Sequence, residues 1–387
     1  MSAGRRLPVL LALGACAASA SPLAAEPMFL SRQYNRCTSC HYSATGGGLL
    51  TPYGRSLSRQ ELSTWGRSPA GTAPTTPGHG EEAFLYGALG DSLSPLDLGF
   101  DTRPSHISIT SSGYTSSTDI LMTADLQAAF RSHGFTVYGE FGRQPLFKPP
   151  LGPGTRYDSY EWWASYQGEN GFGIEAGRFM PAYGINFADH TSFNRAGLGF
   201  DFLDQLLGVE LSHSGGHHLL QVALAPGRAE SILHGNEDGR QAFTTTGRLQ
   251  WDTSSSSALV VSGQYHAKSN VQPEAAGGGL AFGFSPLRRL TVWTEADLKQ
   301  QSTNTGAPLY VLLNETSFEV YRGIWLKFGP QLQTAYNNTS GGTWRLAFAT
   351  EFFPRTHWHL EVDYYRDEGR TINIVTKTLL LQAHLYL

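Results

Sequence analysis

Long apolar runs are scarce in this 387-residue chain. Beyond its N-terminus, no segment supplies the roughly 20 continuous apolar residues of a transmembrane helix. Any insertion into lipid must therefore be as a closed β-barrel, the only other structure that satisfies its own backbone there. Charge is equally sparse, at 16% of residues with a formal net charge of -4, and no basic patch is present. That excludes a nucleic-acid binder, and with 12% aromatics it excludes a disordered chain as well. Cysteine is nearly absent, with three in all: Cys16, Cys37 and Cys40. A structural zinc site, which needs four Cys/His ligands and usually two Cys pairs, finds no second pair. Gly46-Gly47-Gly48 lacks the lysine that would follow in a phosphate-binding loop, and no Ser-His-Asp arrangement stands out, so no catalytic residue is assigned.

What is present begins with an export signal. Arg5 and Arg6 precede an apolar run from Leu7 to Ala18, followed by small residues. Residues 1–25 are read as this signal, with cleavage after Ala20 or Ala25, and "LGAC" at Leu13 to Cys16 offers lipoprotein processing as a third route.

Residues 26–65 hold the strongest motif, "CTSCH", Cys37 to His41. C-x-x-C-H attaches c-type haem because two thiols add to the two vinyl groups while the adjacent imidazole ligates iron. Cys37 and Cys40 would form the thioethers, and His41 would be the proximal ligand. A redox dithiol has no use for His41 and lacks βαβ surroundings here. The distal ligand is not legible, and a five-coordinate iron is also open. A segment of this size can scarcely cover the apolar face of a haem by itself. The cover has to come from the rest of the chain, beyond residues 66–103, read as a linker and the entry to the following barrel, which include "GRSPAGTAPTTPGHG".

From residue 104 to 387 the dominant period is two. In "HWHLEVDYY", Trp358, Leu360, Val362 and Tyr364 share one face and His357, His359, Glu361 and Asp363 the other. In "RLTVWTEADLK", Leu290, Val292, Ala296 and Leu298 oppose Glu295, Asp297 and Lys299, and Ile120, Met122, Leu126 and Phe130 oppose Asp119, Asp125 and Gln127. A soluble sandwich would alternate too. A membrane barrel explains more: segments of about ten residues, tight turns near 132–134, 168–171, 214–217, 285–289 and 354–356, and longer loops near 143–157, 180–204, 226–240 and 268–276. The expected fold is an all-β transmembrane antiparallel barrel of about 16 strands, with both ends on the side of the short turns.

The polar face carries Asp119, Asp125, Glu140, Glu210, Glu295, Asp297, Glu351, Glu361 and Asp363 against Arg248, Lys299, Lys327 and Arg345, a mildly acidic lumen. The longest loop, Gly177 to Phe202, falls between the fifth and sixth strands. It either folds inward, as the loop at that place does in porins, or forms an external lid. If inward, Met180 and His190 are the loop residues expected to approach a haem iron.

The sequence resembles the fused monohaem cytochrome–porins of the outer membrane. The likeness lies in "PMFLSRQYNRCTSCHY" and "TPYGRSL", with the Arg32-Gln33 pair before the haem motif and Tyr53-Gly54-Arg55 after it. Arg32-Gln33 stands one residue closer to Cys37 than the family layout leads one to expect. The resemblance implies a Gram-negative outer-membrane protein with one covalent haem c. It further implies an electron conduit between an extracellular reductant, ferrous iron being one candidate, and a periplasmic c-type cytochrome. The alternative is a solute porin in which the haem segment is a plug or redox sensor.

Overall fold

The computed structural model describes residues 27–65, 84–87 and 95–387, apart from positions 35, 44, 148–152, 188, 190, 202–203, 234–239, 303–306, 335–340 and 371–373. The expected signal (1–25), the linker stretch 66–80 and His190 lie outside the described residues.

The alternation resolves into sixteen antiparallel strands paired in chain order. They are β1 (Leu96–Ser111), β2 (Tyr114–Ser132), β3 (Phe135–Phe147), β4 (Pro153–Asp158 continued by Trp162–Gln167), β5 (Phe172–Phe179), β6 (Leu206–Ser214), β7 (His218–Ala225) and β8 (Thr244–Ser254). The second half comprises β9 (Ser257–His266), β10 (Ala275–Leu287), β11 (Leu290–Gln301), β12 (Leu309–Tyr321), β13 (Ile324–Gln333), β14 (Thr343–Phe352), β15 (Trp358–Gly369) and β16 (Val375–Tyr386). The two pieces of β4 both pair with β3, which makes them one interrupted strand. β1 pairs with β2 on one side and with β16 on the other, so the sheet closes and no edge is left. Leu387 exchanges backbone hydrogen bonds with Phe100 at the seam.

Outward positions are apolar and open: Leu126, Phe130, Phe141, Phe172, Leu211, Leu280, Phe282, Leu312, Phe328 and Leu381 are among them. A soluble protein does not expose a continuous belt of this kind; lipid is its natural cover. Inward positions between them are polar and buried, as at Asp125, Glu210, Glu295, Asp297, Glu351 and Asp363.

Three details differ from the sequence reading. The first strand starts at Leu96 rather than near residue 104. Pro104, which has no amide to give a ladder, is absorbed by a register shift between Thr102 and Pro104 instead of ending the strand. The expected loop 143–157 is mostly hairpin, because Gly142–Phe147 pairs with Pro153–Asp158. Asp119 is not a lumen residue. The β1–β2 hairpin is exposed from Tyr114 to Asp119, so Asp119 stands in solvent and hydrogen-bonds the ring Nδ1 of His106 at 2.7 Å.

The lumen is filled. Loop 180–205 folds inward rather than forming a lid. Arg248 Nε donates to Gly184 O at 2.8 Å, Ile185 N to Glu295 Oε2 at 3.0 Å, Phe193 N to Gln331 Oε1 at 2.9 Å, and Lys299 Nζ to Leu198 O at 2.6 Å. These anchors come from inward-facing side chains on β8, β11 and β13, so the loop crosses the channel. Gly184 has a φ of 52°, and a Cβ there would run into the Glu295 carboxylate.

Candidate functional site

Residues 27–65 occupy the short-turn end of the lumen and form a plug. Met28 and Leu62 bury against Trp325 and Phe353. Leu30 is packed with Ile185 and Phe187 of the inward loop and with Val260, Trp293 and Leu313 of the wall. Tyr42 and Leu49 lie against Tyr138, Trp163 and Phe179. Polar ties hold the same segment. Arg32 pairs with Glu61 at 3.2 Å and with Glu319 on β12, and Arg36 pairs with Asp252 at 3.1 Å and donates to Gly215 O at 2.7 Å. Thr64 N and Trp65 N donate to Phe353 O and Pro354 O at the turn between β14 and β15, each at 2.9 Å.

The motif cysteines sit in one tight turn inside this plug. Cys40 N and His41 N both donate to Cys37 O, at 3.0 and 2.8 Å, so the two thiols and the imidazole issue from a single loop of chain. Both cysteines are half-buried, and neither is in a disulfide. A short helix α1 (Pro52–Leu57) is packed against the turn. Its N-cap Thr51 accepts from Gly54 N, and Thr51 N donates to Cys40 O at 2.8 Å. A Cβ on Gly54 would collide with the Cys40 carbonyl, and Arg55 Nη2 fixes the helix to Leu98 O of β1 at 2.6 Å. Tyr53-Gly54-Arg55 is thus a packing device: glycine for close approach, arginine for the anchor.

His41 Nδ1 hydrogen-bonds Gly47 O at 2.9 Å, which leaves Nε2 for another partner. Burial lowers its pKa to about 4, with the neighbouring Arg103 charge acting in the same direction, while the backbone carbonyls of Gly47 and Gly48 oppose it. The ring is therefore neutral at physiological pH, the form that ligates a metal. A backbone carbonyl on Nδ1 is also the usual way a ligating histidine is held. Space is open at Gly47, where an added Cβ would meet nothing within 4 Å. The donor set of two thiols and one neutral imidazole fits a covalently held haem.

Of the two candidate distal residues, Met180 is buried at the root of the inward loop, with its N–H directed at Glu161, which also reaches the Ser43 hydroxyl near His41. Asn186 of the same loop donates to Thr45 O, so the loop touches the segment that carries the motif turn. The arrangement also includes Arg248 of the polar face, whose charge couples to Cys37, and inward aromatics that the alternation alone had not singled out, Tyr138, Trp163, Trp293 and Trp325. Large aromatics on the lumen face are the signal that could have revealed a filled channel.

Neither a family model nor a curated protein sequence matches this chain. Solved structures do. The chain is similar to OprB of Pseudomonas putida, with a TM-score of 0.62 and 8% identity, covering 80% of this chain and 99% of that one. It is also similar to OmpF of Salmonella typhi, with a TM-score of 0.58 and 10% identity, covering 76% and 97%. For the outer membrane channel DcaP of Acinetobacter baumannii the TM-score is 0.55 at 11% identity, covering 76% and 97%. At these identities the likeness is one of fold: a closed, porin-like outer-membrane barrel.

Proposed function

We propose that this chain is an outer-membrane cytochrome–porin, in which a plug carrying one covalent haem c seals the barrel and passes electrons across it. The observation that supports this is the placement of Cys37, Cys40 and His41 on a segment buried inside the lumen. When bound, the haem would supply one-electron exchange between Fe(II) and Fe(III). The chain's own residues do the rest. Cys37 and Cys40 would provide two thioether bonds, and His41 Nε2 would ligate while Gly47 O fixes the ring. The aromatic and aliphatic clusters around Leu30, Tyr42 and Leu49 exclude water and so favour the less charged state of a buried centre. Met180 and His190 are the residues that would serve as a second ligand. A lipid-facing band of about 25 Å separates the two sides, so a carrier lodged between them shortens each electron step. The donor in this reading is an extracellular reductant such as ferrous iron, and the acceptor is a periplasmic c-type cytochrome.

A second reading, a solute porin with the segment as plug or redox sensor, is favoured by the fold comparisons, since the similar structures include channels and porins. The filled lumen weighs against free permeation. Haem staining of outer-membrane fractions, with Cys37→Ala/Cys40→Ala as the control, is expected to show one haem-bearing band that the variant loses. An unstained wild-type band ends the electron-transfer proposal. Ferrous iron should then reduce the detergent-solubilised protein. Reduction by dithionite but not by iron would remove iron as donor and leave the conduit. Rapid sugar-driven swelling of proteoliposomes, unchanged in the double variant, would favour the solute porin.

A further inference from the structure

Away from the haem turn, the inner wall near the β14–β15 turn holds three metal-ligating groups. Glu351 on β14 and Glu361 on β15 are directly opposed in register, and His359 precedes Glu361 on the same inward face. One ligand atom from each lies within 4.8 Å of the others. The geometry points to a binding site here for a divalent first-row transition-metal ion, separate from any haem.

Four observations support it. Opposed carboxylates repel unless a cation lies between them. Glu351 is 3% exposed, and its Oε2 has no hydrogen-bond partner among the described residues, nor has the buried His359 Nε2. Such atoms are costly to leave unmatched and are satisfied by a metal. The remaining contacts orient the ligands. Gln382 Nε2 donates to Glu361 Oε2 at 3.0 Å, and the His359 ring stacks on Phe353 with centroids 4.4 Å apart. Lastly, a cavity of about 40 Å³ opens beside Glu361, with Asp189 of the inward loop, Glu315 and Asp363 against the single cation Lys327 on its lining. It gives a cation an acidic approach and room for water ligands.

The donor set selects the class of ion. One imidazole and two carboxylates suit Zn, Mn, Fe(II) or Co(II) better than calcium or magnesium, which take oxygen alone. Neighbouring ligand atoms around such an ion stand roughly 3–3.5 Å apart, so the three side chains would draw together on binding. Without metal, Lys327 Nζ serves as counter-ion, 2.6 Å from Glu351 Oε1 and 3.9 Å from Glu315 Oε1.

Titrating the detergent-solubilised full chain with Mn(II), and reading free ion by electron paramagnetic resonance, should show one saturable site that Zn(II) competes for. His359→Ala and Glu361→Gln should each weaken binding at least tenfold, while Lys327→Gln should tighten it by removing the competing charge. His359→Gln takes over the test if the alanine variant does not yield a heat-modifiable folded barrel. No saturable binding by the wild type, or unchanged affinity in both ligand variants, overturns the site. A preparation that lacks a haemochrome spectrum yet binds one Mn(II) supports the site while refuting the haem reading, so the two are separable.

Discussion

Gly54 shows how much of the site rests on a single missing atom. Its Cα approaches the Cys40 backbone so closely that any Cβ would meet the carbonyl. Overpacking of this kind typically costs about 1–3 kcal/mol, borne here by the turn that holds Cys37, Cys40 and His41. Gly54→Ala is expected to leave the barrel folded, as judged by heat-dependent migration, but to lower haem stain per protein severalfold. Equal staining would show that the turn tolerates displacement of α1. Leu30 belongs to the same scale. It is wholly buried between loop and wall, and Leu30→Ala should cost about 2–5 kcal/mol of plug docking. Limited proteolysis would read that cost as earlier cleavage within residues 27–65.

At the scale of elements, plug and inward loop close the channel jointly. The loop hangs from Arg248, Glu295, Lys299 and Gln331, and the plug rests on the loop through Leu30 and Asn186. Deleting residues 27–65 while keeping the export signal should therefore open the short-turn end, with the loop still narrowing the middle. In planar bilayers the deletion is expected to conduct in steps where the full chain is nearly silent. Equal conductance of both would mean that the plug does not seal. The loop's place between the fifth and sixth strands was legible from its length, but its inward course was not. That course depends on a carboxylate, an amide, a lysine and an arginine reaching it from strands distant in sequence, a set that no local pattern assembles.

For the whole molecule, the period of two carried most of the fold. Glu295 and Asp297 face inward and Ala296 and Leu298 outward, as the alternation in "RLTVWTEADLK" requires. What the pattern hid was the filling: Trp293 lies on the polar side of that strand, where a water-filled channel would have little use for it. Pro104 concealed the start of β1 because a bulge cannot be read from composition. The C-x-x-C-H spacing and the polar-face position of Arg248 were legible in the sequence, whereas Glu161 was not, since it meets the turn only after closure. A barrel with an apolar belt responds to charge by depth. Leu126→Lys, on the outer face, should destabilise folding into liposomes by up to about 2–4 kcal/mol, measured by urea titration. The inward neighbour Gln127→Lys should cost less, and the reverse ranking would invert the assignment of faces.

The seam between Phe100 and Leu387 imposes an order of events. The wall that encloses the cysteines is closed by the pairing of β1 with β16, so the cylinder cannot shut until the sixteenth strand has joined the first. Once it is shut, the thiols stand half-buried on the plug within the cylinder instead of on an open chain. A group joined to Cys37 and Cys40 is therefore reached more freely while the strands are still apart, an order in which maturation of the N-terminus precedes assembly.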